Sequence, residues 1–76
     1  MVREFFDVGE MVVVDPGYHS GIWLRTDEVL MNSAESIRVS PDSRLLVLEV
    51  RGINVKVIGE GGVVGWTWTN RLKHLG

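Results

Sequence analysis

Apolar and polar residues alternate with a period of two through residues 45–58, LLVLEVRGINVKVI, the pattern of paired strands with one buried face. With Arg51-Gly52 as a two-residue hairpin loop, Val50 faces Ile53, Leu48 faces Val55 and Leu46 faces Val57. Glu49/Asn54, Val47/Lys56 and Leu45/Ile58 then share the opposite side. The first face is wholly aliphatic and the second mixed. A slip of one residue would carry polar groups to the core face, so the register is expected to be well specified. Gly59-Glu60-Gly61-Gly62 reads as the next hairpin tip, and a third run, VVGWTWTNRL, follows it.

The rest of the chain reads as short extended pieces between turn signals. Residues 1–8 are predicted to be a tail or a short strand, with Phe5 and Phe6 as lids on the core. MVVV (11–14) is a strand by its β-branched content and is halted at Asp15-Pro16-Gly17. After the loop Tyr18–Gly21, Ile22-Trp23-Leu24 resumes an extended run with Trp23 on the side opposite its neighbours. Polar Arg25 to Glu28 follow, and then a short apolar run, Val29-Leu30-Met31. Residues 32–43 are expected to form the longest loop, with Ile37 and Val39 anchoring a short edge strand. No 3.6-residue apolar stripe exists; a single helical turn is predicted where Asn70 precedes Arg71-Leu72-Lys73 as an N-cap. The predicted fold is all-β, with five to six short strands and one terminal helical turn, as a small antiparallel barrel or two orthogonal sheets over residues 9–76.

Composition narrows the function classes. Seventy-six residues at 45% hydrophobic make one globular domain with a small core, in which each large side chain carries a sizeable share of the stability. There is no cysteine, and MVREFFDVGE lacks the apolar run of a signal peptide, so a cytoplasmic protein without a membrane span is expected. The formal net charge is -2 with Lys and Arg scattered, which is no footprint for general nucleic-acid binding. His19 and His74 are far apart in sequence, so no metal and no cofactor are expected. Asp15, His19 and Ser20 have the residue types of a triad but sit too close together in one loop to be supported separately; they read as a polar turn. Gly59–Gly62 lacks the lysine and following helix of a phosphate loop, and Glu60 would repel phosphate. A non-enzymatic protein is expected.

The order GEMVVV, GIWLR, a variable loop, SRLLVLEV, INVKVIGEGG and VGWTWTNRL resembles the Src-homology-3-like (SH3-like) barrels, most closely their bacterial branch, over residues 9–75. The resemblance implies an aromatic-lined groove, between the loop after the first strand and the final "GW" strand, that takes proline-rich or cell-wall peptides. It implies that Trp66 holds the aromatic position after the glycine, that Trp68 stands where the eukaryotic branch has proline, and that Asn70 matches the asparagine of the following turn. Arg71 stands where tyrosine is common and Asn54 where the sheet usually offers tryptophan, so ordinary polyproline recognition is not implied; Tyr18 and Trp23 partly replace the two missing aromatics. The expected function is a protein- or peptide-binding module acting through this groove, as a stand-alone adaptor or a phage-type inhibitor of a host protein. The alternatives are a nucleic-acid-, transcription- or ribosome-associated barrel, which GEMVVVDPG also resembles, and cell-wall peptide binding.

Two registers remain open for the tryptophans. A four-residue loop at Gly59–Gly62 sets Val55 against Trp66 and Ile53 against Trp68, both on the core face, as hydrophobicity favours. An odd loop or bulge, which the resemblance implies, instead turns Val63 and Thr67 inward and both tryptophans to the outer, groove-forming face. Core volume weighs for the outer face, because Val12, Val14, Ile22, Leu24, Leu46, Leu48, Val50, Val55 and Val57 already fill so small an interior.

Overall fold

The structure is a computed structural model that describes residues 6–25 and 36–75. Seven strands form one antiparallel sheet: β1 (Met11–Val14), β2 (Ile22–Arg25), β3 (Ser36–Val39), β4 (Arg44–Arg51), β5 (Asn54–Ile58), β6 (Val64–Trp68) and β7 (Leu72–His74). Their order across the sheet is β3-β2-β6-β5-β4-β1-β7. Val39 on one edge strand and Leu72 on the other belong to the same buried cluster as Val12, Leu24, Leu45, Val47, Val55 and Val57. The sheet is therefore curled around a single core, the arrangement by which a chain this short covers its apolar face. Phe6 is buried at the rim of that core, its ring 4.5 Å from the ring of His74, in the lid position expected for it. Phe5 and the run Val29-Leu30-Met31 lie outside the described residues.

The all-β class holds, with corrections in detail. The described residues alone form seven strands, against the five or six expected. The residues after Asn70 do not continue as a helical turn: a 3-10 turn covers Thr69–Arg71, and Leu72–His74 pair with β1 as an edge strand. Leu72 is drawn into the core opposite Val14, and that tertiary contact outweighs the local capping signal. A second 3-10 turn covers Glu60–Gly62.

The β4–β5 hairpin corrects the expected register in two places. Its turn is Gly52-Ile53, because Arg51 pairs with Asn54 and Val50 with Val55. Two-residue hairpin loops of the primed types need a positive φ at their first central residue. Gly52 supplies it at φ 60, whereas a loop on Arg51-Gly52 would demand it of an arginine. Further along, the ladder passes from Val50↔Val55 and Glu49↔Lys56 directly to Val47↔Val57, so Leu48 is the extra residue of a β-bulge. The bulge changes the phase of β4. Leu45 and Val47 are fully buried in the places expected of Leu46 and Leu48, while Leu48 is 37% exposed and Leu46 pairs outward with Met11. Backbone bonds fix the switch: Val47 N–H donates to Glu10 O (2.9 Å) and Val47 O accepts from Gly9 N–H (2.8 Å). Val50, Val55 and Val57 still face the core, so the polar partners Glu49, Lys56 and Asn54 stay off it.

The β5–β6 hairpin resolves the two registers left open. Gly59 N–H donates to Val63 O (2.7 Å) and closes an odd loop of three residues, Glu60–Gly62, in which Gly61 and Gly62 both take φ 83. The odd loop sets Val57 opposite Gly65, Val55 opposite Thr67 and Asn54 opposite Trp68. Thr67 is accordingly turned inward at 2% exposure, and Val63 packs on the core from the loop end. Trp66 and Trp68 project from the other side of β6.

Candidate functional site

The turn after β1 is built by its own sequence. Asp15 accepts the Gly17 N–H on its carboxylate (2.8 Å), Tyr18 N–H donates to Asp15 O (2.9 Å), and Gly21 N–H donates to Tyr18 O (3.0 Å). These two consecutive turns present Tyr18 half-buried against the edge of the core. Gly21 ends them at φ 88, in a place where a Cβ would meet Val39 O at 2.1 Å, so the loop lies directly on β3. Arg38 of β3 holds the other side, donating from Nε to Ser20 O (2.8 Å).

Beyond the loop, β2 places Ile22 and Leu24 in the core and projects Trp23 and Arg25 from the opposite face. Arg25 pairs with Trp66, which brings the outer side of β2 beside the outer side of β6. The close approach depends on Gly65, where a Cβ would stand 2.7 Å from Leu24 Cβ and 2.9 Å from Arg25 O. The glycine of the "GW" pair is thus what allows the two strands to meet. At the end of β6 the 3-10 turn returns Arg71 to the first loop, where Arg71 O accepts the Asp15 N–H (2.8 Å) and the guanidinium donates to the Tyr18 hydroxyl.

These elements enclose a concavity of about 240 Å³ lined by Tyr18, Gly21, Ile22, Trp23, Arg25, Thr67, Trp68 and Arg71. Its rings and cations are interleaved. The Arg25 guanidinium lies 4.4 Å from the centre of the Trp68 ring, and that of Arg71 lies 4.6 Å from Tyr18 and 5.0 Å from Trp68. A guanidinium over a ring face is attracted by it and keeps N–H donors for other partners, one of which Arg71 gives to the Tyr18 hydroxyl. Trp23, 57% exposed, forms the open wall. Flat rings with guanidinium donors beside them can hold an extended chain segment through ring contact and hydrogen bonds.

Of the seven residues expected to bind, the structure brings four into this concavity: Tyr18, Trp23, Trp68 and Arg71. Trp66 shares the outer side of β6 but is only 6% exposed, set between Lys56 and Arg25 in the ladder with the Arg51 guanidinium 5.8 Å from its ring. It does not line the groove. Asn54 faces Trp68 across the ladder without reaching the groove, and its side-chain oxygen is buried with no hydrogen-bond partner among the described residues. Asn70 is exposed in the 3-10 turn, also outside it. Gly21, Ile22, Arg25 and Thr67 also line the groove, and of these Arg25 is the charged one, which in the sequence reads as the start of a polar segment. Its signal is its spacing from Trp23, because residues two apart on a strand share a face. Asp15, His19 and Ser20 form the braced turn described above: the Asp15 carboxylate caps Gly17, Ser20 offers its carbonyl to Arg38 and His19 is exposed. Compared with protein-family models, with curated proteins and with solved structures, the chain matches none.

Proposed function

We propose that this protein is a binding module that docks a protein or peptide segment in the groove between the Asp15–Gly21 loop and the end of β6. The observation that carries this reading is the convergence of Tyr18, Trp23 and Trp68, from three separate stretches of the chain, on one open concavity. Large aromatic side chains left partly exposed around a depression supply rigid contact area at small entropic cost, and they are typical anchors of recognition surfaces. A second concavity of similar size, about 270 Å³ among Arg38, Val39, Ser40, Ser43, Gly59, Glu60 and Val63, is lined by no aromatic ring. The resemblance to SH3-like barrels supports the same position for the groove. The module acts without chemistry of its own, as an adaptor or an inhibitor that occupies a partner's surface.

The test is affinity capture from lysate on the immobilised protein beside its Trp23→Ala and Trp68→Ala forms. Trp23 is more than half exposed, so its removal leaves the fold intact while reducing the groove wall. A partner retained by the parent and lost from both variants is the expected result; capture indifferent to both substitutions would place binding elsewhere on the molecule.

A further inference from the structure

Among the described residues the groove is lined by two half-buried arginines and no acid, and this asymmetry points to the kind of segment it takes. Arg25 and Arg71 both line the concavity, and among the described residues no carboxylate forms an ion pair with either. The nearest acid in the supporting loop, Asp15, uses its carboxylate on the Gly17 N–H. Resting on the groove reading above, we infer that the partner segment is an acidic peptide whose carboxylate is held between Arg25 and Arg71 while a neighbouring apolar side chain lies on Trp23. Three observations support it. Both guanidiniums lie against rings, Arg25 at Trp68 and Arg71 at Tyr18 and Trp68, contacts that restrict where their donors sit before the ligand arrives. The Tyr18 hydroxyl, as acceptor from Arg71, fixes that side chain further. A volume of about 240 Å³ accommodates one side chain or carboxylate with its flanking backbone. Two cations on a chain of net charge -2 do not form the extended basic track that a nucleic-acid backbone needs.

The experiment is selection of random dodecapeptides displayed on phage against the parent protein, followed by titration of the winning peptides monitored by tryptophan fluorescence. The expected outcome is enrichment of sequences with Asp or Glu beside an apolar or aromatic residue. For these, Glu→Gln or Asp→Asn in the peptide, or Arg25→Gln with Arg71→Gln in the protein, weakens binding by about tenfold or more, as the loss of a charge-assisted pair requires. Enrichment of neutral or basic peptides whose binding is lost in Trp23→Ala overturns the acidic assignment and leaves the groove reading standing. No enrichment, or enrichment untouched by Trp23→Ala, overturns both. Oligothymidylate, titrated in parallel at the same salt concentration, should bind at least about tenfold more weakly than the best acidic peptide; tighter binding assigns the two arginines to phosphates and overturns the inference.

Discussion

Neighbouring tryptophans on one strand carry unequal loads. Trp66 is 6% exposed and Trp68 only partly buried, with the Arg25 and Arg71 guanidiniums near its ring, although both project from the same side of β6. Truncating a buried indole removes most of its contacts, so Trp66→Ala should cost about 3 to 5 kcal/mol. Trp68→Ala loses partial burial and two cation–π contacts, about 1 to 2 kcal/mol, and takes its main effect on binding. Urea unfolding followed by far-ultraviolet circular dichroism should show this order, and a larger loss for Trp68→Ala would mean that the groove side of β6 is structural. Glycines separate in the same way. At Gly65 a Cβ meets Leu24 and the Arg25 carbonyl, both on a packed strand that has no room to yield. Gly65→Ala should therefore cost about 1 to 3 kcal/mol and shift the indole NMR signal of Trp23, which adjoins Leu24 and shares the outer face of β2 with Arg25. At Gly61 the space is open and only the φ of 83 resists, so alanine there should cost about 1 to 2 kcal/mol and leave Trp23 unshifted. Equal indole shifts in the two variants would show that Gly65 does not set the spacing of β2 and β6.

Among the elements, β4 shows how a strand can follow its hydrophobic pattern and still change face. LLVLEV offers apolar residues on both sides, so either Leu46 and Leu48 or Leu45 and Val47 can fill the interior. The bulge at Leu48 selects the second set, and the bonds from Val47 to Gly9 and Glu10 fix it. The choice is open to a direct test. Val47→Ala should cost about 2 kcal/mol through lost methyl burial and the cavity left behind, whereas Leu48→Ser should stay within about 0.5 to 1 kcal/mol of the parent. Unfolding midpoints in the reverse order would restore the regular register. The three-residue loop Glu60–Gly62 acts on β6 in a comparable way, since one residue more would exchange Thr67 for the tryptophans on the core face.

On the scale of the whole molecule, one curled sheet has its core inside and its aromatic groove where β2, β6 and the turn before β7 meet. With a net charge of -2 and two cations in that groove among the described residues, binding to mixed-sequence duplex DNA should be weak and disappear between low and physiological salt, because such affinity comes mainly from counterion release. Gel-shift titrations at about 50 and 200 mM salt would check this, and salt-resistant binding would point to a nucleic-acid role. Period-two alternation, β-branched runs and turn residues determined by themselves that the chain is all-β, that β1, β2, β4, β5 and β6 exist, and that Val12, Val14, Ile22, Leu24, Val55 and Val57 are core, since these are local consequences of side-chain direction and backbone sterics. The resemblance to SH3-like barrels, not the alternation, drew attention to Tyr18, Trp23, Trp68 and Arg71, together with Asn54, Trp66 and Asn70, which lie outside the groove. Only the tertiary structure decided that Leu45 and Val47 are buried in preference to Leu46 and Leu48, that Arg25 joins the groove while Trp66 does not, and that Leu72–His74 form an edge strand. The reason is that register and exposure depend on partners distant in sequence. A bulge, an odd loop and a glycine at a strand crossing each move a side chain from one face or neighbour to another, and none of them alters the alternation from which the strands were read.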